Sequence, residues 1–450
     1  IWGTFCECMD PVSVLDYRYG TEKMRNVFRA NSYLKFLLEV EATLAEVQEE
    51  MGIIPKGAGS AIRNGLKDVK RERVEEIEKS INHDIMAVVK ALEEKTGDSG
   101  KWIHFGATSY DIVDTARALQ HSNAIDLIEK AIEKLITALS NLAKKHKRTV
   151  MLGRTHGQWA TPITFGLKIA VFLAEMKRHS ERLSEIKPRI ITGKFLGAVG
   201  SGAAMEPHTL EVQKAVCQKL GLKEPLATTQ ILGRDRLAEM IAWGSNVATS
   251  LEKFTLEVRN LQRSDIGEVA EAFDKTKQVG SSTMAQKKNP ITSENIGGLA
   301  RIVRSMLYSA YENNLQWHER DLANSSNERV ILPQFYILLE YILIKTENVF
   351  ANLFVNKKRM KENLESAGGL PMAEFFVIEL GKTELGRQSS HELVRTITME
   401  AESKGVTFAD AIRTDKIVKE KLGNEKIELC LNPENYVGHS EEIIDRVLDA

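Results

Sequence analysis

Long apolar-periodic stretches that lack proline constrain the fold of this chain most strongly. None of the 10 prolines lies in residues 56–161 or 226–289, so a helix need not end within either stretch. Apolar side chains recur almost continuously over 111–147, which predicts one helix of about 35 residues, on the order of 50 Å long. Period-two alternation is scarce, and only 193–200 predicts irregular backbone or a hairpin. Further long helices are predicted at 21–51, 160–187, 234–265, 291–317 and 326–351, the last either kinked or opened by Pro333.

Several of these predicted helices are apolar on more than one face, so each needs packing neighbours on several sides. The chain or other copies of it must supply those neighbours. We therefore predict an all-α fold in which a long central helical bundle is flanked by two smaller helical domains, and we expect it to oligomerise. From about residue 360 the helices shorten and glycines separate them, which predicts a C-terminal domain. The predicted domains are 1–107, 108–360 and 361–450.

Composition excludes several classes of function. The chain has 61 Lys+Arg against 62 Asp+Glu, so it lacks the basic surplus expected of a protein that binds nucleic acid or an anionic membrane. The apolar start, residues 1–8, is too short for a signal peptide or a membrane span. The cysteines form no CxxC pair and no Cys/His group with zinc spacing. We therefore expect reduced thiols, no metal site and a cytoplasmic protein. The four cysteines are Cys6, Cys8, Cys217 and Cys430.

The most informative segment is the polar stretch GSSTMAQKKNP at 280–290, which lies between two helical patterns. On residue types alone a polar connector with solvated lysines also explains it, since Gly, Ser and Asn are common turn residues. The spacing GSSxMxxKxNP, however, closely resembles the signature loop of the fumarase/aspartase superfamily. Ala285 stands where that family usually has Pro, and the change removes no functional group.

Other stretches resemble the adenylosuccinate lyase family within this superfamily. The run RTHGQ at 154–158 resembles its histidine motif, and GATSYDIVDT at 106–115 resembles its TSxD segment. Argininosuccinate lyase shares QKKNP at 286–290, but it would carry an Arg-Asn-Asp-Gln run where this chain has Tyr110-Asp111. The resemblance extends from about residue 16 to at least 345. Its remaining matches are Arg18-Tyr19, Asn82-His83-Asp84, Gln230 and the run WHERDLANSSNER at 317–329.

The resemblance implies a fumarase/aspartase-like fold and a carbon–nitrogen lyase reaction of purine biosynthesis. Fumarate would be eliminated from adenylosuccinate to leave AMP, and from the succinyl-carboxamide ribotide SAICAR to leave AICAR. The resemblance also implies a homotetramer in which three subunits contribute to each active site. It implies a nucleotide substrate and no cofactor or metal. We expect no nucleic-acid or membrane partner.

Such an elimination needs a base for a carbon-bound proton, cations for the developing charge, an acid for the leaving nitrogen and an anchor for the phosphate. By match to the family, Ser281 is the expected base, with Ser282 as the alternative, and His156 is the expected acid. Lys287 would act in catalysis by holding the carboxylate charge, and His83 would assist the acid or contact the phosphate. The same match implies a substrate-binding set of Arg18, Tyr19, Asn82, Asp84, Thr108, Ser109, Gln230, Ser282, Met284, Asn289, Arg320, Ser325 and Arg329.

Two further hypotheses remain open. A carboxymuconate-cycloisomerase-like enzyme would share the TSxD-like and GSSxM segments, but it has no nucleotide phosphate for Arg18, Arg320 and Arg329 to hold. A structural helical protein of the lens-crystallin kind would need no active site. The intact Ser281 and His156 argue against that second hypothesis, although a lone histidine is more often structural.

Overall fold

The structure, a computed structural model, describes residues 12–272, 284 and 287–450. These residues are mostly helical, which confirms the all-α prediction. No helix among them is both long enough and apolar enough to span a bilayer. The α-helices are α1 Val14–Tyr17, α2 Glu22–Phe28, α3 Ala30–Glu50, α4 Ala58–Gly65, α5 Arg71–Ile81, α6 Asp84–Glu93, α7 Ser109–Lys145, α8 Phe165–Ile190, α9 Thr209–Lys219, α10 Asp235–Leu261, α11 Ile291–Glu312, α12 Ala323–Ala351, α13 Lys357–Ser366, α14 Ala373–Gly381, α15 Gly386–Lys404, α16 Phe408–Thr414, α17 Lys416–Leu431 and α18 Ser440–Asp449.

The predicted long helices lie close to their expected bounds in most cases, because no proline interrupts them early. Helix α12 begins ten residues before Pro333 and continues through it, so that proline does not open the helix. The stretch 21–51 is divided instead: Arg29 adopts an extended ψ of 144° between α2 and α3. Thr21 caps α2 as expected, since its hydroxyl oxygen accepts a hydrogen bond from the Met24 amide at 3.1 Å.

A β-hairpin replaces the beginning of one predicted helix. Strands β1 Val150–Thr155 and β2 Gln158–Thr164 pair antiparallel, and α8 begins only at Phe165. The prediction of a helix from residue 160 is therefore wrong over 160–164, where β-branched residues and pairing with β1 favour the extended backbone. The segment 193–200 contains no strand and is irregular. Two short strands, β3 Val269–Ala270 and β4 Phe354–Val355, form a second antiparallel pair.

The chain divides into two compact units. Unit 1 comprises 1–132, 179–251 and 298–344, and unit 2 comprises 133–178, 252–297 and 345–450. The divisions fall within α7, α8, α10, α11 and α12. A large apolar core in unit 1 is built mainly by α3 to α7, and one in unit 2 by α14 to α17. The three-domain division at 107/108 and 360/361 stays a prediction.

A buried ionic network joins three helical segments in unit 1. Arg234 donates to Asp114 at 2.9 and 3.0 Å and to Glu328 at 2.8 Å. Arg117 also pairs with Glu328. Burial opposes ionisation of Asp114, but Arg234 outweighs it and lowers the pKa of that carboxyl. These paired charges fix the N-terminal parts of α7 and α12 relative to one another, because an unpaired buried charge would be strongly destabilising.

The pair His104–Glu41 in unit 1 predicts a pH-dependent stability. His104 Nδ1 lies 2.7 Å from Glu41 Oε1. Although burial disfavours the charged ring, the Glu41 carboxylate raises the pKa of His104 above its ordinary value of 6.5. A raised folded-state pKa stabilises the fold fully below the unfolded pKa, and this contribution is lost as the pH rises through the folded pKa.

We therefore expect His104→Asn to lower the thermal unfolding midpoint more at about pH 6 than at about pH 8. Asparagine suits this position because His104 has a φ of +61° and asparagine tolerates the left-handed region. Thermal unfolding followed by circular dichroism across this pH range measures the difference between the two proteins. A difference that stays constant or grows with pH would contradict the prediction.

Candidate functional site

The turn between α5 and α6 carries three of the predicted site residues. Asn82 ends α5 with a left-handed φ of +54°. His83 then caps α6, where its Nδ1 accepts a hydrogen bond from the Met86 amide at 3.2 Å. A neutral ring in this arrangement carries its proton on Nε2, so that atom can donate. Asp84 accepts a hydrogen bond from Arg329 at 2.9 Å. The fold therefore brings His83, Asp84 and Arg329 together.

Helix α12 presents a second predicted residue on the same face as Arg329. Ser325 lies one turn earlier, at i and i+4 spacing, so the two side chains are neighbours. The Ser325 hydroxyl is 2.5 Å from the hydroxyl of Tyr110, which directly follows Thr108 and Ser109 at the start of α7. Desolvation is the main cause that raises the pKa of the partly buried Tyr33 phenol, on which the charges of Asp84 and Arg329 also act. These residues therefore form one cluster in unit 1.

Arg320 and Gln230 extend this cluster. Arg320 Nη1 donates to Gln230 Oε1 at 2.8 Å, and Gln230 Nε2 donates to the Ala198 carbonyl at 3.0 Å. The Arg320 guanidinium carbon lies 3.7 Å from the centroid of the Tyr110 ring. The Arg320 side chain is thereby held at both the face and the edge of its guanidinium group. Such a side chain would lose less conformational entropy on binding an anion.

The backbone before α7 is held by a fully buried ion pair. Asp111 pairs with Lys194 from the irregular segment 193–200, and both side chains are inaccessible to solvent. The other Asp111 oxygen accepts the Thr108 amide at 2.8 Å. Thr108 and Ser109 are thus fixed at the start of a 37-residue helix, where helix-dipole and amide groups favour an anion.

Tyr19, which follows Arg18, packs against α12 farther toward the C-terminal end of that helix. The Tyr19 ring is 5.7 Å from the ring of Tyr341, which is three turns of helix beyond Arg329. Arg25 Nη1 donates to the Tyr19 carbonyl at 3.1 Å. The segment Arg18–Tyr19 is therefore anchored on the helix that carries Ser325 and Arg329. No hydrogen bond within the described residues joins the Arg18 side chain to either of those two residues.

In unit 2, His156 occupies the tip of the β1–β2 hairpin. His156 and Gly157 have φ values of +54° and +75°, as in the two-residue turns whose twist matches paired strands. The imidazole is exposed and makes no hydrogen bond to another described residue. Below the tip, Arg154 donates to Glu268 at 2.7 and 2.9 Å. This bidentate pair fixes the strand that carries His156.

The segment that carries the signature loop is held at both ends in unit 2. Gln262 Nε2 donates to the Lys288 carbonyl at 3.1 Å, and its Oε1 accepts the Glu271 amide at 2.9 Å. The Glu271 carboxylate in turn accepts the Thr292 and Ser293 amides at 3.1 and 2.6 Å. A carboxylate there satisfies free amides at the start of α11. The hydrogen bond from Gln262 therefore fixes the backbone between Lys287, a predicted catalytic residue, and Asn289, a predicted binding residue.

Several of the predicted loop residues can be placed. Met284 and Lys287 are exposed and Asn289 is half-buried. Ser281 and Ser282 lie outside the described residues. The sequence prediction did not include Tyr110, Gln262 or Glu271 in the site. Tyr110 stands inside the TSxD-like run, but residue type alone did not reveal that its ring would contact Arg320.

Neither a metal-binding cluster nor the cavity of unit 2 involves the predicted site residues that the structure describes. No group of three or more His, Cys, Asp or Glu in 12–272, 284 and 287–450 is arranged to hold a metal ion. A cavity of about 820 Å³ in unit 2 is lined by Arg148, Lys357 and Arg413 among others, and contains none of the predicted site residues. The predicted residues therefore do not converge on that cavity.

Comparisons with known proteins identify the relatives of this chain. A family model described as lyase matches residues 16–305, and one described as adenylosuccinate lyase C-terminus matches 369–447. Adenylosuccinate lyase from Pyrococcus abyssi is 46% identical, with 97% of each chain covered. The enzyme of the same description from Methanothermobacter thermautotrophicus is 44% identical, covering 97% of this chain and 98% of that one.

Solved structures match at the level of the whole fold. A fumarate lyase from Mesorhizobium superposes with a TM-score of 0.88 at 32% identity, covering 96% of this chain and 98% of that chain. The 3-carboxy-cis,cis-muconate lactonizing enzyme from Pseudomonas putida has a TM-score of 0.86 at 30% identity, covering 97% and 98%. These likenesses confirm the predicted fumarase/aspartase-like fold.

Proposed function

This chain belongs to the adenylosuccinate lyase family, carbon–nitrogen lyases of purine biosynthesis, and we propose that its site eliminates fumarate from adenylosuccinate and from SAICAR. The observation that carries the proposal is the 46% identity to a curated adenylosuccinate lyase over 97% of both chains. The two sequences therefore correspond over almost the whole length of both chains. The substrate is accordingly a nucleotide.

The proposed chemistry divides between a proton abstraction and a proton donation. Ser281, or Ser282 in its place, takes a proton from the carbon next to a substrate carboxylate. Lys287 and Asn289 hold the extra negative charge that develops there, one as a cation and the other as an amide donor. His156 gives a proton to the departing nitrogen, so that this nitrogen leaves as the neutral amino group of AMP. The exposed position of His156 at the hairpin tip supports this role, because its ring is free to meet a substrate.

Two arginines of the unit 1 cluster suit the phosphate and ribose end of the substrate. Arg320 and Arg329 present guanidinium groups, which bind phosphate oxygens through paired N–H donors. Arg329 currently pairs with Asp84, but both side chains are about half exposed or more. Such a pair contributes little stability, so Arg329 can exchange Asp84 for a phosphate at low cost. His83 Nδ1 lies 3.8 Å from Asp84 Oδ1, and this proximity supports either an acid-assisting or a phosphate-binding role for His83.

The remaining predicted residues complete the binding site in this proposal. Thr108 and Ser109 hold a substrate carboxylate at the start of α7, and Gln230 lies near the succinyl group. Arg18 and Tyr19 add a further phosphate contact, and Met284 borders the substrate within the loop. No step in this sequence of proton transfers needs a cofactor or metal.

We further propose that the enzyme acts as a homotetramer with shared sites. Large apolar side chains are exposed on α11 in unit 1, where Ile302, Tyr308 and Tyr311 are 46%, 73% and 51% exposed. Exposed apolar surface of this kind marks protein–protein interfaces. The predicted site residues also fall in both units, with His156 and Lys287 in one and Arg320 and Arg329 in the other. A cytoplasmic location remains a prediction from the reduced-thiol composition.

An absorbance assay tests the proposed function. We expect purified protein to convert adenylosuccinate to AMP and fumarate, and to convert SAICAR in the same preparation. 3-Carboxymuconate serves as the contrasting substrate, because a structural relative of this chain carries the lactonizing activity. Turnover of carboxymuconate without turnover of adenylosuccinate would contradict the proposal, and so would the absence of any turnover by folded protein.

A further inference from the structure

The aromatic ring of Tyr110 contacts two residues proposed to bind the substrate. The Arg320 guanidinium carbon lies 3.7 Å from the ring centroid, and the Ser325 hydroxyl lies 2.5 Å from the phenol oxygen. Tyr110 is only 6% exposed, so its own orientation is fixed by packing. One buried side chain therefore determines the positions of both a cation and a hydroxyl.

The Tyr110 ring is also supported by the buried ionic network of unit 1. The Arg234 guanidinium carbon lies 5.9 Å from the ring centroid. Arg234 is held by Asp114 and Glu328 at 2.8 to 3.0 Å. A ring supported in this way is a rigid surface for Arg320, and its negative π face attracts that cation.

We propose that Tyr110 is a positioning residue that preorganises Arg320 and Ser325 for the phosphate-bearing end of the substrate. This inference rests on the proposed function. A guanidinium stacked through its face keeps its N–H edge available for anion oxygens. An arginine that is already immobilised loses less rotational freedom when the anion binds, so affinity increases without a new contact. Tyr110 itself need not touch the substrate.

Two substitutions separate the ring from the hydroxyl. Tyr110→Phe retains the stack on Arg320 and removes only the Ser325 contact, so we expect the KM for adenylosuccinate to rise about 2- to 10-fold. Tyr110→Leu removes both contacts, so we expect a rise of about 10- to 100-fold. We expect kcat to change by less than about threefold in each, because binding is lost equally from the ground and transition states.

Measurements of AMP and fumarate binding distinguish a loss of Arg320 and Ser325 positioning from a general disturbance of the active-site structure. We expect the Kd for AMP, measured by calorimetry, to rise by the same factor as KM, and the inhibition constant for fumarate to stay within about twofold. The matched control is Tyr336→Phe, which removes another buried hydroxyl in unit 1 that has no hydrogen-bond partner within the described residues. We expect this control to retain wild-type KM and AMP affinity.

The outcomes separate this inference from the proposed function. Unchanged KM and AMP affinity in the Tyr110 variants would overturn the inference alone, provided that the wild-type enzyme turns over adenylosuccinate. Equal weakening of AMP binding and fumarate binding would overturn the inference as well, and so would a fall in kcat with unchanged KM. Should Tyr110→Leu fail to fold, Tyr110→Phe decides the result, since it removes a single oxygen. A wild-type protein that neither turns over adenylosuccinate nor binds AMP would overturn both.

Discussion

We expect His156→Ala and Ser281→Ala each to lower kcat on adenylosuccinate by about 10²- to 10⁴-fold or more while the protein stays folded. The expected loss is large because, in the proposed reaction, His156 supplies the proton to the leaving nitrogen and Ser281 removes the proton from carbon. Steady-state kinetics, with thermal unfolding and sedimentation as checks, measure the effect. His156 has a φ of +54°, so His156→Asn is the better matched variant, since asparagine tolerates that backbone.

Control variants separate these roles from general effects of substitution. His439 is exposed near the start of α18, and Ser403 is an exposed residue of α15. We expect His439→Ala and Ser403→Ala to retain wild-type kcat. A near-normal kcat in any His156 or Ser281 variant would reject the corresponding assignment. If Ser281→Ala is active and Ser282→Ala is not, the base is Ser282.

We expect a mixture of the two variants, His156→Ala and Ser281→Ala, to regain activity when their subunits exchange. If one site takes His156 from one subunit and Ser281 from another, then random hybrid tetramers contain intact sites. About a quarter of all sites would carry neither substitution in an equal mixture. The recovered kcat per site would therefore reach about a quarter of the wild-type value.

Coexpression of the two variants, with native mass spectrometry to verify hybrid tetramers, measures this recovery. Each variant coexpressed with a second copy of itself is the control and stays inactive. If hybrid tetramers form but remain inactive, His156 and Ser281 belong to the same chain at each site. Sharing of these two residues between subunits would then be rejected, although the catalytic roles would stand.

Local sequence patterns predicted the helical fold well because helix formation depends on neighbours a few residues apart. The apolar repeat over 111–147 and the absence of proline indicated α7, which runs from Ser109 to Lys145. The β1–β2 hairpin escaped prediction because its turn is His156-Gly157 rather than the common Asn-Gly. Only pairing with β1 shows that 158–164 is extended. The break at Arg29 likewise has no glycine or proline to mark it.

The sequence by itself determined the helical class, the family and the residue types that its chemistry requires. Only the tertiary structure decided which of those residues are neighbours. Asp84 meets Arg329 across 245 positions of the chain, and Tyr110 meets Ser325 across 215. Such contacts follow from the packing of buried side chains and the pairing of buried charges. No local pattern specifies them, which is why the contacts of Tyr110 became visible only in the folded chain.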